Sequence, residues 1–219
     1  MLDFSQQGEV ALLRLDDGKA NAVSHAFVDA VHEGLDRSEK EAKAVVITGR
    51  AGVFSAGFDL KEFEKGQEAT LALVDKGARM LLRIFSHPQP VVVACSGHAI
   101  AAGAFTLLAA DTRIGARGEF KIGLNETAIG MSLPVFGLEL AKSRLSKRAQ
   151  TAAVIQATLY GPEQAQKVGF LDELVSPEEV VDTALERARA LAEYPGQAYA
   201  ANKIGIRADA IEAIRASLA

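Results

Sequence analysis

Two rhythms of apolar residues alternate along the chain. Short runs rich in Val, Ile and Leu occupy residues 10–15, 44–47 and 91–94, the first interrupted only by Arg14 and the other two uncharged. They lack polar alternation, which predicts strands buried on both faces. Between them the spacing becomes helical. Phe27, Val28, Val31 and Leu35 predict a helix over 24–41, with Ser24 as its cap. Leu71, Leu73, Val74, Leu81, Leu82 and Ile84 predict another over 70–86, ended by His87-Pro88-Gln89-Pro90. In the stretch 90–111 the strand run breaks at Ser96-Gly97 and gives way, from about Ala101, to a helix of small residues. No charge occurs from Ala99 to Ala110, so this helix is buried all round. It is too short for a bilayer, which takes about 20 apolar residues. Small side chains at its start leave backbone N–H groups open to an oxygen bearing negative charge. Plain close packing of the helix start on the strand is the alternative reading.

The order helix, strand, small-residue loop, helix thus occurs twice. Residues 19–23, 50–61 and 123–131 read as loops, the last carrying one acid, Glu126, among apolar neighbours. Residues 113–114 open a further strand, which 118–122 continue or follow with another. Further helices are expected over 133–145, 149–159 (capped by Ser146), 162–168 (stopped by Gly169) and 197–218. A strand is expected over 170–175, and a helix opened by Ser176 runs to 193. This rhythm predicts an α/β fold that becomes mostly helical after about residue 133.

Composition narrows the function classes. The chain has 219 residues, 49% hydrophobic and 24% charged, with a formal net charge of -4 and no run of like charges, which argues against a nucleic-acid surface. Its one cysteine, Cys95, precludes an internal disulfide and suits a reducing, cytoplasmic setting. Placed in an apolar segment, it reads as an inert core thiol. The first ten residues lack the basic and apolar regions of a leader, and no segment is apolar over a membrane-spanning length. His25, His32, His87 and His98 show no metal-ligand spacing, and no phosphate-cradling or dinucleotide motif is present.

Three stretches together resemble the crotonase (enoyl-CoA hydratase/isomerase) superfamily. Val53-Phe-Ser-Ala-Gly-Phe-Asp-Leu-Lys-Glu is similar to its "FSAG-x-DL" loop. Ser96-Gly-His-Ala-Ile-Ala-Ala-Gly-Ala is similar to "NG-x-A-x-GGG", and Ile122-Gly-Leu-Asn-Glu-Thr-Ala-Ile-Gly to "(I/F)GLPE-x-x-(I/L)G". Lys19-Ala-Asn-Ala, Leu159-Tyr-Gly-Pro-Glu-Gln-Ala and Gly169-Phe-Leu-Asp-Glu-Leu-Val add support in the same order. The resemblance implies an α/β spiral of ββα turns over 1–195 and a C-terminal helical tail over 196–219, shorter than is usual in the family. It implies an acyl-CoA thioester as ligand, coenzyme A as part of the substrate with no separate cofactor, and a homotrimer or dimer of trimers. It also implies an oxyanion hole formed by the Phe58 and Ala102 N–H groups, with Gly103 as the neighbouring candidate. Ala102 stands where the family usually has glycine. By the same resemblance Ala20, Ala22, Ser55, Ala56, Asp59, Leu60, His98, Gly103 and Phe105 contact substrate, and Lys61 and Lys203 meet the coenzyme phosphates. Asp59 also reads as a helix cap, His98 as a packed histidine, and Asp111 as a polar end to the buried helix.

The family's hydratases carry two glutamates, and two acids can hold and activate a water. Here the first position is Phe105 and only the second, Glu126, is an acid. The resemblance therefore favours Δ3,Δ2-enoyl-CoA isomerisation, in which one base moves a proton from C2 to C4. Apolar neighbours would raise the pKa of Glu126, which suits that task. Hydration or thioester hydrolysis is the alternative, with Glu62, Glu64 or Glu119 as a second acid. An acyl-CoA-binding protein without turnover is the other.

Overall fold

The computed structural model describes residues 2–218. Met1 and Ala219, the outer limits of the expected core and tail, lie outside the described residues. The first part of the chain contains β1 (Leu2–Gln7), β2 (Val10–Leu15), α1 (His25–Glu41), β3 (Ala44–Thr48), β4 (Gly52–Ser55), α2 (Leu60–Phe63) and α3 (Gln67–Phe85). Then come β5 (Val91–Cys95), β6 (Gly97–Ile100), α4 (Ala102–Ala109), β7 (Thr112–Ala116), β8 (Ile122–Gly123) and α5 (Val135–Arg144). The rest comprises α6 (Pro162–Val168), β9 (Glu173–Val175), α7 (Val180–Ala192), α8 (Gly196–Ile206) and α9 (Ala208–Ala216).

Each turn of the chain lays one strand in each of two sheets and then adds a helix. The larger sheet has the order β1-β2-β3-β5-β7-β9, and the smaller has β4-β6-β8. All pairs are parallel except the β1–β2 hairpin. The stacked units β3-β4-α3 and β5-β6-α4 are the ββα spiral that the resemblance implies.

The large sheet is covered on both faces. Leu13, Val45, Ile47, Val91 and Val93 face a core shared with α1, α3, α4 and α5. Leu12, Ala44, Val46, Val92 and Ala94 face α7 through Ala184, Leu185 and Ala188. Two apolar faces explain why these strands read as unbroken hydrophobic runs. Helix α4 is buried at every residue, and Ile211 and Ile214 of α9 join the same core.

The structure corrects several expectations. Residues 2–7 form a strand that the sequence reading passed over, since its outer positions are partly exposed. Residues 50–61 are not all loop, and Ser96-Gly97 is not a turn into a helix. Strands β4 and β6 run there, joined at Gly52↔Gly97 and Val53↔His98. A side chain at Gly97 would run into the Gly52 backbone, so glycine here marks close strand approach rather than a turn. The helix expected over 149–159 is a π-helical turn at Thr151–Ile155, followed by Ala157 at φ 50. The last strand begins at Glu173, not residue 170. The last helix is broken at Arg207, whose guanidinium turns inward to Asp111 and the Phe85 carbonyl.

Candidate active site

The small sheet brings the three family-like loops to one edge. Its strands are parallel, so Phe58, Ala102 and Glu126 all follow the carboxyl ends of β4, β6 and β8. Strand ends of a parallel sheet are where such folds gather ligand groups.

The β4 loop is held by residues 20–23. Ala56 N–H donates to Ala20 O at 3.0 Å, Val23 N–H to Gly57 O at 2.8 Å and Asp59 N–H to Val23 O at 3.1 Å. Ser55 Oγ donates to Asn21 O at 2.7 Å. Asn21, at φ 50, is buried and donates its amide to Leu15 O and Phe54 O. Val23 and Phe58 form a parallel bridge, so the Phe58 N–H points away from Val23. Among the described residues it has no acceptor. The Phe58 ring packs beside Phe63 at 6.1 Å.

Gly57 is where the two loops touch. A Cβ there would lie 2.9 Å from Ala101 Cβ and 3.6 Å from Ala102 N, and its φ of 100° suits glycine. The Ala101 N–H donates to Gly123 O at 3.0 Å, which joins the β8 loop to the same edge. The departure from glycine carries its strain at Ala101 (φ 50, ψ -117) rather than at Ala102, which is already helical. The Ala102 N–H heads α4 and, among the described residues, has no acceptor.

Glu126 opens a 3-10 turn, Thr127–Ile129. Its residue is 7% exposed and its Oε2 is buried without a hydrogen-bond partner. Burial pushes its carboxyl above the ordinary range, while its own N–H and that of Asn125 pull it back. Phe105, at the place of a first acid, is 1% exposed and packs edge-on against Phe136 at 5.4 Å.

Other expected contacts find different uses. Ser55 is 1% exposed and its hydroxyl donates to Asn21 O, which shapes the loop. Asp59 caps α2, accepting from Lys61 N–H at 3.0 Å. His98 Nδ1 accepts from Lys121 N–H at 3.0 Å, and its ring stands on Phe120. Gly103 is seated against Ser55, 2.9 Å from its Cβ to a Cβ built at Gly103. Ala20, Ala56 and Leu60 are exposed and Ala22 is half-buried on the loops just described. Lys203 is buried: its ammonium donates to His87 O and Gln89 O and pairs with Asp111 at 2.6 Å. That placement overturns its assignment to coenzyme phosphates. Lys61 remains exposed. Glu64 and Glu119 are exposed, and Glu62 pairs with Lys65 at 2.6 Å, so the named second acids differ from Glu126 in setting. Sequence reading missed Asn21, Gly57 and Ala101. Only the asparagine between two alanines and the glycine of the loop motif hinted at them.

The match to the enoyl-CoA hydratase/isomerase family model runs over residues 5–218. The chain belongs to this family. It is 33% identical over 181 residues to the human mitochondrial enoyl-CoA delta isomerase 1, an alignment covering 80% of this chain and 60% of that protein. An enoyl-CoA hydratase/isomerase family protein of Pseudomonas syringae superposes with a TM-score of 0.97 at 41% identity, over 99% of this chain and 94% of that one. An enoyl-CoA hydratase of Mycobacterium marinum does so with a TM-score of 0.94 at 37% identity, over 99% and 96%. Relatives thus carry both reaction names, and the family alone leaves the reaction open. Among the described residues no cluster of His, Cys, Asp and Glu is placed to hold a metal ion, and no helix is long and apolar enough to cross a membrane.

Proposed function

We propose that the protein isomerises the double bond of a 3-enoyl-CoA thioester to the 2-enoyl form. One observation carries this reading: Glu126 is a buried acid with a free Oε2 on the edge that bears the Phe58 and Ala102 amides, and the buried Phe105 stands where the family's hydratases carry their first acid. The thioester oxygen accepts from both N–H groups. Glu126 takes a proton from C2, and the electron pair moves into a dienolate whose oxygen charge the two donors stabilise. Losing one such donor typically costs about 3–4 kcal/mol. Glu126, now neutral, returns the proton at C4 and the double bond settles at C2–C3. Burial of Glu126 supports both transfers, because it lifts the proton affinity of the carboxylate and lessens the cost of the neutral acid. We assign the working protein to the cytoplasm. We also assign it a homotrimer or dimer of trimers, which the exposed Val135, Leu138 and Ile155 around α5 support as an apolar contact face.

The test pairs two assays: conversion of 3-hexenoyl-CoA to 2-hexenoyl-CoA, and hydration of crotonyl-CoA. Isomerisation with little hydration is expected, lost in Glu126→Gln while acyl-CoA binding persists. Hydration with kcat above about 10 per second would mean that a second group holds the water. Binding without either turnover would leave a carrier of acyl-CoA.

A further inference from the structure

We propose that Thr127 is a positioning residue for Glu126 and that the π-turn at Thr151–Ile155 supplies its anchor. The inference rests on the reading of Glu126 as the base.

The turn that carries Glu126 is closed on itself. Ala128 N–H donates to Asn125 O, Ile129 to Asn125 O and Glu126 O, Gly130 to Thr127 O and Met131 to Glu126 O. Among the described residues one hydrogen bond ties residues 125–131 to another element: Thr127 Oγ1 donates to Val154 O at 3.1 Å. Glu126 has no side-chain partner on Oε2 to fix it. Its direction therefore depends on the backbone turn, and the turn's register depends on Thr127.

The acceptor is available because of the π register. In an α-helix the Val154 carbonyl would take the N–H of residue 158. Here Thr158 N–H bonds Ala152 O at 3.0 Å and Gln156 N–H bonds Thr151 O at 3.0 Å, which leaves Val154 O for the threonine. Such single π-turns recur at functional sites. The same segment holds β8 from behind. Tyr160 and Ile122 exchange two backbone hydrogen bonds of 2.9 Å, and a Cβ at Gly123 would lie 2.9 Å from Thr158 O. The strand before the acid and the turn that bears it thus share one buttress.

Thr127→Val removes the donor and keeps the shape; Thr127→Ser keeps the donor. For 3-hexenoyl-CoA isomerisation, Thr127→Val is expected to lower kcat about ten- to a hundredfold, the scale of a misplaced reacting group. KM should stay within about threefold, since the thioester's own contacts are untouched. Hydrogen exchange of the amides in 126–131 should speed up, and Thr127→Ser should restore both readouts. Unchanged kcat in Thr127→Val, with Glu126→Gln inactive, overturns the role of Thr127 alone. A fully active Glu126→Gln, or a wild-type protein with no proton transfer at C2, overturns the reading of Glu126 and this inference with it. A fall in kcat matched by a comparable loss of thermal stability, without rescue by serine, marks a general structural role and also overturns it.

Discussion

The role proposed for Glu126 comes with a folding cost. Its carboxyl is buried with one oxygen unpartnered, and burial raises its folded pKa above the ordinary value of 4.5. Below the unfolded pKa both states are neutral and the group costs nothing; as pH rises through the folded pKa, ionising it costs stability. Glu126→Gln should therefore be more stable than the wild type at pH 7, by on the order of 1 kcal/mol. That gain should shrink as pH falls below the carboxylate range. Urea unfolding at pH 7 and at acid pH, run beside the activity assay, checks both halves. Burial shifts Cys95 the same way: donating to Gly97 O and pushed up to about 12, its thiol is inert, in keeping with its apolar neighbours in the sequence.

At the scale of elements, the site depends on two loops brought into contact and on a helix tied to its support. Gly57→Ala would strain a backbone at φ 100 and press on Ala101 Cβ. It should part the β4 and β6 loops and lower kcat/KM about a hundredfold or more, with the fold kept; circular dichroism beside the isomerase assay reads this. Asp111 links three elements: it accepts from Val91 N–H at 2.8 Å and pairs with Lys203 at 2.6 Å and Arg207 at 2.7 Å. Asp111→Asn strands two buried cations and should cost about 3–5 kcal/mol. Burial already lowers the Lys203 ammonium to about 8, while Asp111 pulls it up. Because that folded pKa lies below the unfolded 10.5, the unfolded chain binds more protons in between, and stability from this group rises with pH from about 8 to 10.5. Raising the pH should thus return part of the loss in Asp111→Asn, measured by thermal melts across that range.

On the scale of the whole molecule, the ββα spiral sets a large, doubly covered sheet beside a small sheet whose strand ends carry the candidate site. Assembly through the exposed apolar residues of α5 and the π-turn would place the contact face next to the buttress of the acid loop. Light scattering should give about three times, or six times, the chain mass of 23.2 kDa. A mass of one chain across the working concentration range would remove that assignment.

The buried runs at 44–47 and 91–94, the helical spacing of α1 and α3, and the order of three loop motifs were legible because each is a local pattern answering to burial or backbone freedom. They determined the fold class and pointed to Glu126 as the candidate acid, with Phe105 where a second acid is expected. The small sheet was not legible. Strands of two to four residues with glycine at their contacts carry too few side chains to show a period. Lys203 likewise reads as a candidate for the coenzyme phosphates until tertiary packing sets Asp111 and two carbonyls around it. Only the three-dimensional structure decided that the free amides and the acid share one strand-end edge, and that a distant carbonyl at Val154 holds the acid's turn. Such contacts join residues far apart in the chain, and the free energy that selects them comes from packing the whole core, which no local pattern records.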